Sequence, residues 1–473
     1  MDVHHLRQSA LCRGLGAVAI LLLSLAAPAG AADLLTKAPA KTTPQDDLWT
    51  RDKLTGDWGG LRTALSKRGI DITVNYIGEV FGVAGGFHQG VAYDGRLEVS
   101  VDADFEKLAG WTGATAHGTF YQIHNINGLP ALNFTGSFAD PSNIEALPSS
   151  RLYTLWFQKN FLDDKVSIRF GQIAADDEFV VSPTASNLII TTFGFPALLA
   201  NDMIQGGPVY PLPDPGVRLQ VKPTEDFTFL TAVFSGAPAG ADCTTNPQIC
   251  NNTGTTFSLS GGVLSISEAQ YAVNQAKDAK GLPGVYKLGG WYESASFADV
   301  HLGLSVAGVP VSLASPSSIF PLNHQGDWGI YGVADQMVWR AKTQSINAFL
   351  RAGASPADRN LVASYVDGGI GIKAPIPGRD DDVLTFGFVW SNISQDLAAL
   401  DIDTQFLTGM FRPVHDHEGI VEADYSFQLA PWWTLQTDAR YVYHPGGNVL
   451  NPVNPTQAIP DAFVFTVRNS FKL

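Results

Sequence analysis

The chain has 473 residues, 30 Lys and Arg against 45 Asp and Glu, a formal net charge of −15 and 45% hydrophobic residues. That acidic balance argues against nucleic acid as a partner. A mean hydropathy of +0.05 lies far below that of a helical membrane protein, and no apolar run is long enough to span a membrane as a helix.

Residues 1–31 read as a signal peptide. Arg7 and Arg13 supply a basic start, Leu15 to Leu25 an apolar core too short to span, and Ala29-Gly30-Ala31 a small-residue cleavage site. Cys12 precedes that core, away from the place where a lipoprotein cysteine is modified. Cleavage leaves about 440 residues, enough for one large domain or barrel. Without Asp2, Arg7 and Arg13 the balance is 28 basic to 44 acidic residues, a net charge of −16. The total does not choose an anion or cation route, because the local field in a pore can oppose it.

Residues 32–53, polar and punctuated by Pro39 and Pro44, read as a periplasmic linker. An amphipathic helix is expected over 54–70, with Asp57 as cap, Leu61 and Leu65 on one face and Gly69 at the C-terminal end. From 71 to 473 strands dominate. Leu97, Val99, Val101, Ala103 and Phe105 alternate with Glu98, Ser100, Asp102 and Asp104. Ile72, Val74 and Tyr76 alternate with Thr73, Asn75 and Ile77, and Val217, Leu219 and Val221 with Arg218, Gln220 and Lys222.

Such a pattern has two physical solutions. A soluble sandwich packs the apolar face on a dry core. A transmembrane barrel turns it to lipid and wets the other, since only helices and closed barrels satisfy every backbone group in hydrocarbon. The last third alternates most cleanly, as in Val421, Ala423, Tyr425, Phe427 and Leu429 against Glu422, Asp424, Ser426 and Gln428. The final stretch, Phe463, Phe465, Val467, Asn469 and Phe471, suits a closing strand. About 10 residues per crossing, plus turns and long loops, make on the order of 16 antiparallel strands.

Gly236 to Gly262, Ser312 to Asp327 and Pro445 to Pro460 read as long loops, and Ser265 to Lys280 as a short helix within a loop. No repeat of propeller or solenoid length is visible. Cys243 and Cys250 remain after processing. In an exported chain they are expected to form a disulfide, because two cysteines without nearby histidines make a poor zinc site.

Several segments carry a resemblance: Leu54-Thr55-Gly56-Asp57-Trp58-Gly59-Gly60-Leu61-Arg62, Leu108-Ala109-Gly110-Trp111-Thr112-Gly113, and Ile168-Arg169-Phe170-Gly171-Gln172. Tyr210-Pro211-Leu212, Pro215-Gly216-Val217-Arg218-Leu219, Tyr286-Lys287-Leu288-Gly289-Gly290-Trp291-Tyr292 and Ala334-Asp335-Gln336 follow. Pro377-Gly378-Arg379-Asp380-Asp381-Asp382, Pro431-Trp432-Trp433-Thr434-Leu435-Gln436 and His444-Pro445-Gly446-Gly447 complete the order. In this ordered set the chain resembles the carbohydrate-selective porins of the OprB family. The resemblance implies a bacterial outer-membrane barrel of 16 strands, an N-terminal helical segment on the periplasmic side, and a water-filled channel favouring monosaccharides, glucose especially. One departure is the last residue, Leu473, where such barrels commonly end on an aromatic; Phe471 lies two positions earlier.

A sugar presents hydroxyls and apolar C–H faces, so its passage calls for charges of both signs, aromatic rings and weak binding. Inward parity offers Glu79, Glu98, Asp102, Asp104, Arg169, Arg218, Arg351, Glu422, Asp424 and Arg440 as pore-lining candidates. Asp335 joins them from its motif, although Tyr331, Val333, Met337 and Trp339 share its face. The bland alternative for each is a solvated lumen residue far from any constriction. Trp339, Trp390, Trp432 and Trp433 are either sugar-stacking rings or interfacial girdle.

His415-Asp416-His417-Glu418 and Asp380-Asp381-Asp382 contain metal-ligand types without a matching motif spacing and read as a loop and a turn; no metal is assigned. No nucleophile elbow, zinc-protease motif or P-loop is present. The expectation is an outer-membrane porin for passive diffusion of small sugars, without cofactor, monomeric or homotrimeric, in contact with outer-membrane lipid and with the barrel-assembly machinery during biogenesis. The alternatives are a pore of the same build with another small-solute or ion preference, and a secreted sugar-binding β-sandwich.

Overall fold

The computed structural model describes residues 47–473. The expected signal peptide and most of the expected linker lie outside the described residues. Strands rich in Val, Ile, Phe, Tyr and Thr follow one another: β1 (Ile70–Gly85), β2 (Gly90–Asp104), β3 (Ala114–Ile126), β4 (Ser149–Phe161), β5 (Val166–Ile173) and β6 (Asp214–Val221). Next come β7 (Phe227–Ser235), β8 (Val263–Val273), β9 (Gly284–Leu304), β10 (Pro310–Ser312), β11 (Phe320–Ala341) and β12 (Gln344–Ala354). The last five are β13 (Val362–Lys373), β14 (Val383–Ile393), β15 (His417–Ala430), β16 (Trp433–Tyr443) and β17 (Ala462–Lys472).

Each strand pairs antiparallel with its neighbour, and β1 pairs with both β2 and β17, so the sheet closes. The three-residue β10 pairs with β9 alone among the described residues. The wall therefore has sixteen strands. Closure leaves no open edge, which is what a sheet in hydrocarbon requires. Val80, Phe170, Val233, Leu288, Phe388 and Phe465 are exposed on the outside, Leu288 to 70%. A belt of bare apolar side chains around a closed sheet is a lipid-facing surface. The sandwich alternative is excluded by this closure.

The longest connections all lie at one end of the barrel. The near end carries the two-residue connections 342–343 and 431–432, whereas 127–148, 174–213 and 236–262 lie at the far end. Helix Leu61–Lys67 is also at the near end, where Arg62 Nη2 donates to the Leu473 carbonyl at 2.6 Å and Leu473 N–H donates to Val74 O at 2.8 Å. The helix is shorter than the 54–70 expectation because Trp58, Gly59 and Gly60 have φ of 51°, 68° and 97°. Asp57 caps it across that turn, accepting from Thr63 N–H at 2.9 Å.

Two other expectations are corrected. Ser265–Lys280 is not a helix: residues up to Val273 form β8, and their spaced alanines sit on a paired strand. Within 312–327, β11 already begins at Phe320. Strands β9 and β11, of 21 and 22 residues, reach about 70 Å at the usual rise. They therefore project beyond an apolar band of roughly 25 Å. Cys243 and Cys250 are disulfide-bonded within 236–262, with Cα atoms 6.0 Å apart.

Candidate solute passage

The inner face of the barrel is not uniformly polar. Leu230, Phe234, Leu264, Ile266, Trp291 and Phe349 point inward and are buried. They are covered by residues 174–213, which fold into the barrel instead of over its mouth. Phe179, Leu188, Ile190, Phe193, Leu198 and Leu199 of that segment pack on them in one apolar cluster. Phe193 meets Phe349 edge-on at 5.9 Å.

A loop inside a barrel brings backbone groups that need partners. Charged wall residues supply them. Asp335 accepts from Ser182 Oγ at 2.6 Å, Thr184 N–H at 2.9 Å and Thr184 Oγ1 at 2.8 Å. Arg351 donates to the carbonyls of Val180 at 3.2 Å and Thr192 at 3.0 Å. Glu422 accepts from Ile189 N–H at 2.6 Å. Gln436 bridges Asn187 O and Asp424, each at 2.8 Å.

The second inward segment, 127–148, is held similarly. Glu79 pairs with Arg468 at 2.8 Å and accepts from Ser142, while Arg440 pairs with Asp438 and donates to Pro141 O. Glu79, Arg351, Glu422, Asp424 and Arg440 thus point into the barrel as their parity implies, and Asp335 does so too despite the apolar residues on its face, yet all six lie buried beneath these segments. Their geometry is that of anchors. Asp104 is elsewhere again, capping the near-end helix Phe105–Ala109. The shared face of Asp335 with Tyr331 and Val333 is real; a bulge at Met337/Trp339 then turns Trp339 outward.

One cavity lies between the 174–213 segment and strands β1–β4. It measures about 280 Å³ and is lined by Arg96, Tyr121, Tyr153, Asp176, Asp177 and Tyr210, among others. Tyr121 stacks on Tyr153 at 4.6 Å, and Tyr210 lies 5.9 Å and 6.0 Å from the two. The Arg96 guanidinium sits 4.5 Å from the Tyr121 ring and 5.1 Å from Tyr210. Nearer the short-turn end, Arg169 lies over Trp156 at 3.9 Å, and His117 stacks on Trp156 at 4.9 Å. Glu178 joins Arg169 at 2.6 Å and Arg218 at 2.7 Å. Asp102, part-exposed, pairs with His117 at 2.7 Å, and Glu98 lies 3.8 Å from Arg96.

Asp177 still meets lumen water while lying deep in the barrel. Its depth and the neighbouring Asp176 push its carboxyl up, to about 7. Burial also raises the Asp202 carboxyl, against hydrogen bonds from Ser355 and Val362.

Arg96, Tyr121, Tyr153, Trp156, His117, Glu178, Asp176 and Asp177 were not among the sequence candidates. Arg96 was readable, two residues before Glu98 on the same alternating run. Trp156 was hidden in Leu155-Trp156-Phe157, where a register shift at Gly118/Phe120 breaks the parity. Trp339 and Trp390 are exposed on the outer face, and Trp432 and Trp433 cluster with Trp49 and Phe471 at the near-end rim. Trp339 and Trp390 thus face outward as girdle rings would, whereas Trp432 is buried against Trp49.

A closed sixteen-strand wall, a lipid-facing belt and a loop narrowing a hydrated interior define a porin, a channel of the bacterial outer membrane. The model of the carbohydrate-selective porin family OprB matches residues 88–473, and the chain belongs to that family. It is 23% identical to Porin B of Pseudomonas aeruginosa over 426 residues, 83% of this chain and 87% of that protein. It is also 23% identical to the putative porin QuiX of Acinetobacter baylyi over 431 residues, 86% and 92% of the two chains. The high-pH structure of Pseudomonas putida OprB superposes with a TM-score of 0.79 at 21% identity, covering 90% of this chain and 100% of that one. The low-pH structure of the same protein gives 0.51 at 17% identity over 89% of this chain and 99% of that one. The chain is thus an outer-membrane porin for passive diffusion of small carbohydrates.

Proposed function

We propose that this porin favours single-ring sugars, glucose among them, and that selection occurs between the 174–213 segment and β2–β4. The observation that carries this reading is the Tyr121–Tyr153–Tyr210 cluster beside Arg96, Asp176 and Asp177. Aromatic faces suit apolar C–H surfaces, and flanking charges of both signs suit hydroxyls that donate and accept. A cavity of about 280 Å³ is at or below the small end of ligand pockets, which suits one ring better than two. Solutes move down their gradient, with no bond made or broken and no cofactor.

The outer belt meets outer-membrane lipid, and β17, ending Phe471-Lys472-Leu473, is the strand we infer the barrel-assembly machinery reads. Swelling of liposomes containing purified protein tests the solute preference: glucose enters faster than maltose. Equal rates for glucose, maltose and sodium chloride contradict the preference and leave a general pore.

A further inference from the structure

At the far rim, three side chains that the passage does not use converge on one point. Asp416 immediately precedes β15, His417 is its first residue, and His444 follows the end of β16. One ligand atom from each lies within 4.8 Å of the other two. His444 Nδ1 is 2.9 Å and His417 Nδ1 3.7 Å from Asp416 Oδ2. His417 Nε2 is buried without a hydrogen-bond partner among the described residues. From this convergence we propose that the outer rim holds a divalent ion of the zinc class, bound by Asp416, His417 and His444.

The contiguous run His415 to Glu418 does not form this site. Strand alternation turns Glu418 inward, where it accepts from Ser137 Oγ at 2.8 Å and Gly446 N–H at 2.6 Å. His415 pairs with Asp401. The third ligand comes instead from the neighbouring strand end, at His444.

Two imidazoles and one carboxylate suit a borderline ion, whereas calcium and magnesium take oxygen ligands. In a tetrahedral site, ligand atoms at about 2.1 Å from the metal stand about 3.4 Å apart. The three groups need draw together by little more than an ångström, with water as fourth ligand. Both rings are already oriented. Trp390 stacks on His417 at 3.9 Å, and Tyr443 on His444 at 3.9 Å. Backbone contacts steady the carboxylate residue: Asp416 N–H donates to Gly447 O at 3.1 Å, and its carbonyl accepts from Ile393 at 2.9 Å. Asp461 accepts from His444 N–H at 3.0 Å. On binding, the ion replaces whatever proton His444 and Asp416 share, and that proton leaves to solvent. The bound ion ties the start of β15 to the 444–461 loop at the channel mouth.

The test is calorimetric titration of zinc chloride into purified, untagged porin in detergent, after chelator treatment. One ion per chain is expected. His417→Ala and His444→Ala each weaken binding by at least about tenfold, and His88→Ala leaves it unchanged. Heat-modifiable migration of each variant reports that the barrel is folded; His417→Gln, closer in size, replaces the alanine variant if that one fails to fold. No saturable zinc uptake by the wild-type protein, or uptake that survives in folded variants at both His417 and His444, overturns the site.

Discussion

Arg351 on β12 and Asp367 on β13 face the barrel axis as directly paired residues, and both are completely covered, with Arg351 Nε 3.0 Å from Asp367 Oδ1. In an open aqueous pore such a pair would be wet. Here it is buried because the 174–213 segment lies across it, with Val180 O and Thr192 O accepting from the same guanidinium. The guanidinium thereby ties the 174–213 segment to the barrel wall.

Arg351→Ala therefore leaves Asp367 buried and unpaired, a loss on the order of 3–5 kcal/mol. The expected result is an inward segment that no longer holds its place. Single-channel conductance rises and its current noise grows, while the barrel still shows a heat-modifiable band. Unchanged conductance would show that the segment is held without this pair.

Gly387 on β14 marks the opposite perturbation. A Cβ at this position would come within 2.6 Å of both Leu188 Cδ1 and Phe193 Cζ of the inward segment. Gly387→Leu is expected to push that segment toward β2–β4 and lower conductance. A variant that conducts as the wild type does would mean the segment yields elsewhere.

Arg169 stands over Trp156 and pairs with Glu178, on the side of the barrel where the proposed sugar selection falls. Arg169→Ala removes a hydrogen-bond donor for sugar hydroxyls, expected to weaken glucose binding by about 0.5–1.5 kcal/mol, or roughly two- to tenfold. Half-blocking glucose concentrations measured in planar bilayers should rise by that factor. An unaltered value would place sugar contact away from Arg169.

The charge of the passage should follow pH. The Asp177 carboxyl, raised to about 7 by its depth and by Asp176, is mostly neutral below that pH and ionised above it. Arg96 and Arg169 face the same region. Raising pH from 6 to 8 thus shifts the local charge toward negative, and the permeability ratio of potassium to chloride should increase. Asp177→Asn should flatten that dependence. A ratio that falls with pH contradicts the assignment.

How far the sequence revealed this molecule depends on which face of the wall one considers. Where lipid lies outside and water or a charged anchor inside, as along Val421 to Gln428, alternation exposes the strand plainly. Along Phe227 to Ser235 it is blurred, because Leu230, Ala232 and Phe234 meet the inward segment while Phe229 and Val233 meet lipid. Both faces are apolar there, so period two loses its contrast. Parity also located Arg351, Glu422 and Arg440 on the inner face but carried no information on what covered them. That depends on two connections with no periodicity of their own, 174–213 over Arg351 and Glu422 and 127–148 over Arg440. Arg169 and Arg218 are joined through Glu178, a residue that only the folded segment brings to them.

Single-channel recording with glucose added to one side addresses the assignment of the passage most directly. The account predicts brief, concentration-dependent interruptions of the wild-type current that weaken in a Tyr121→Ala variant and persist in a Trp390→Ala variant, whose ring lies on the outer wall. Interruptions that are absent from the wild type, or that disappear with Trp390 and not with Tyr121, contradict it.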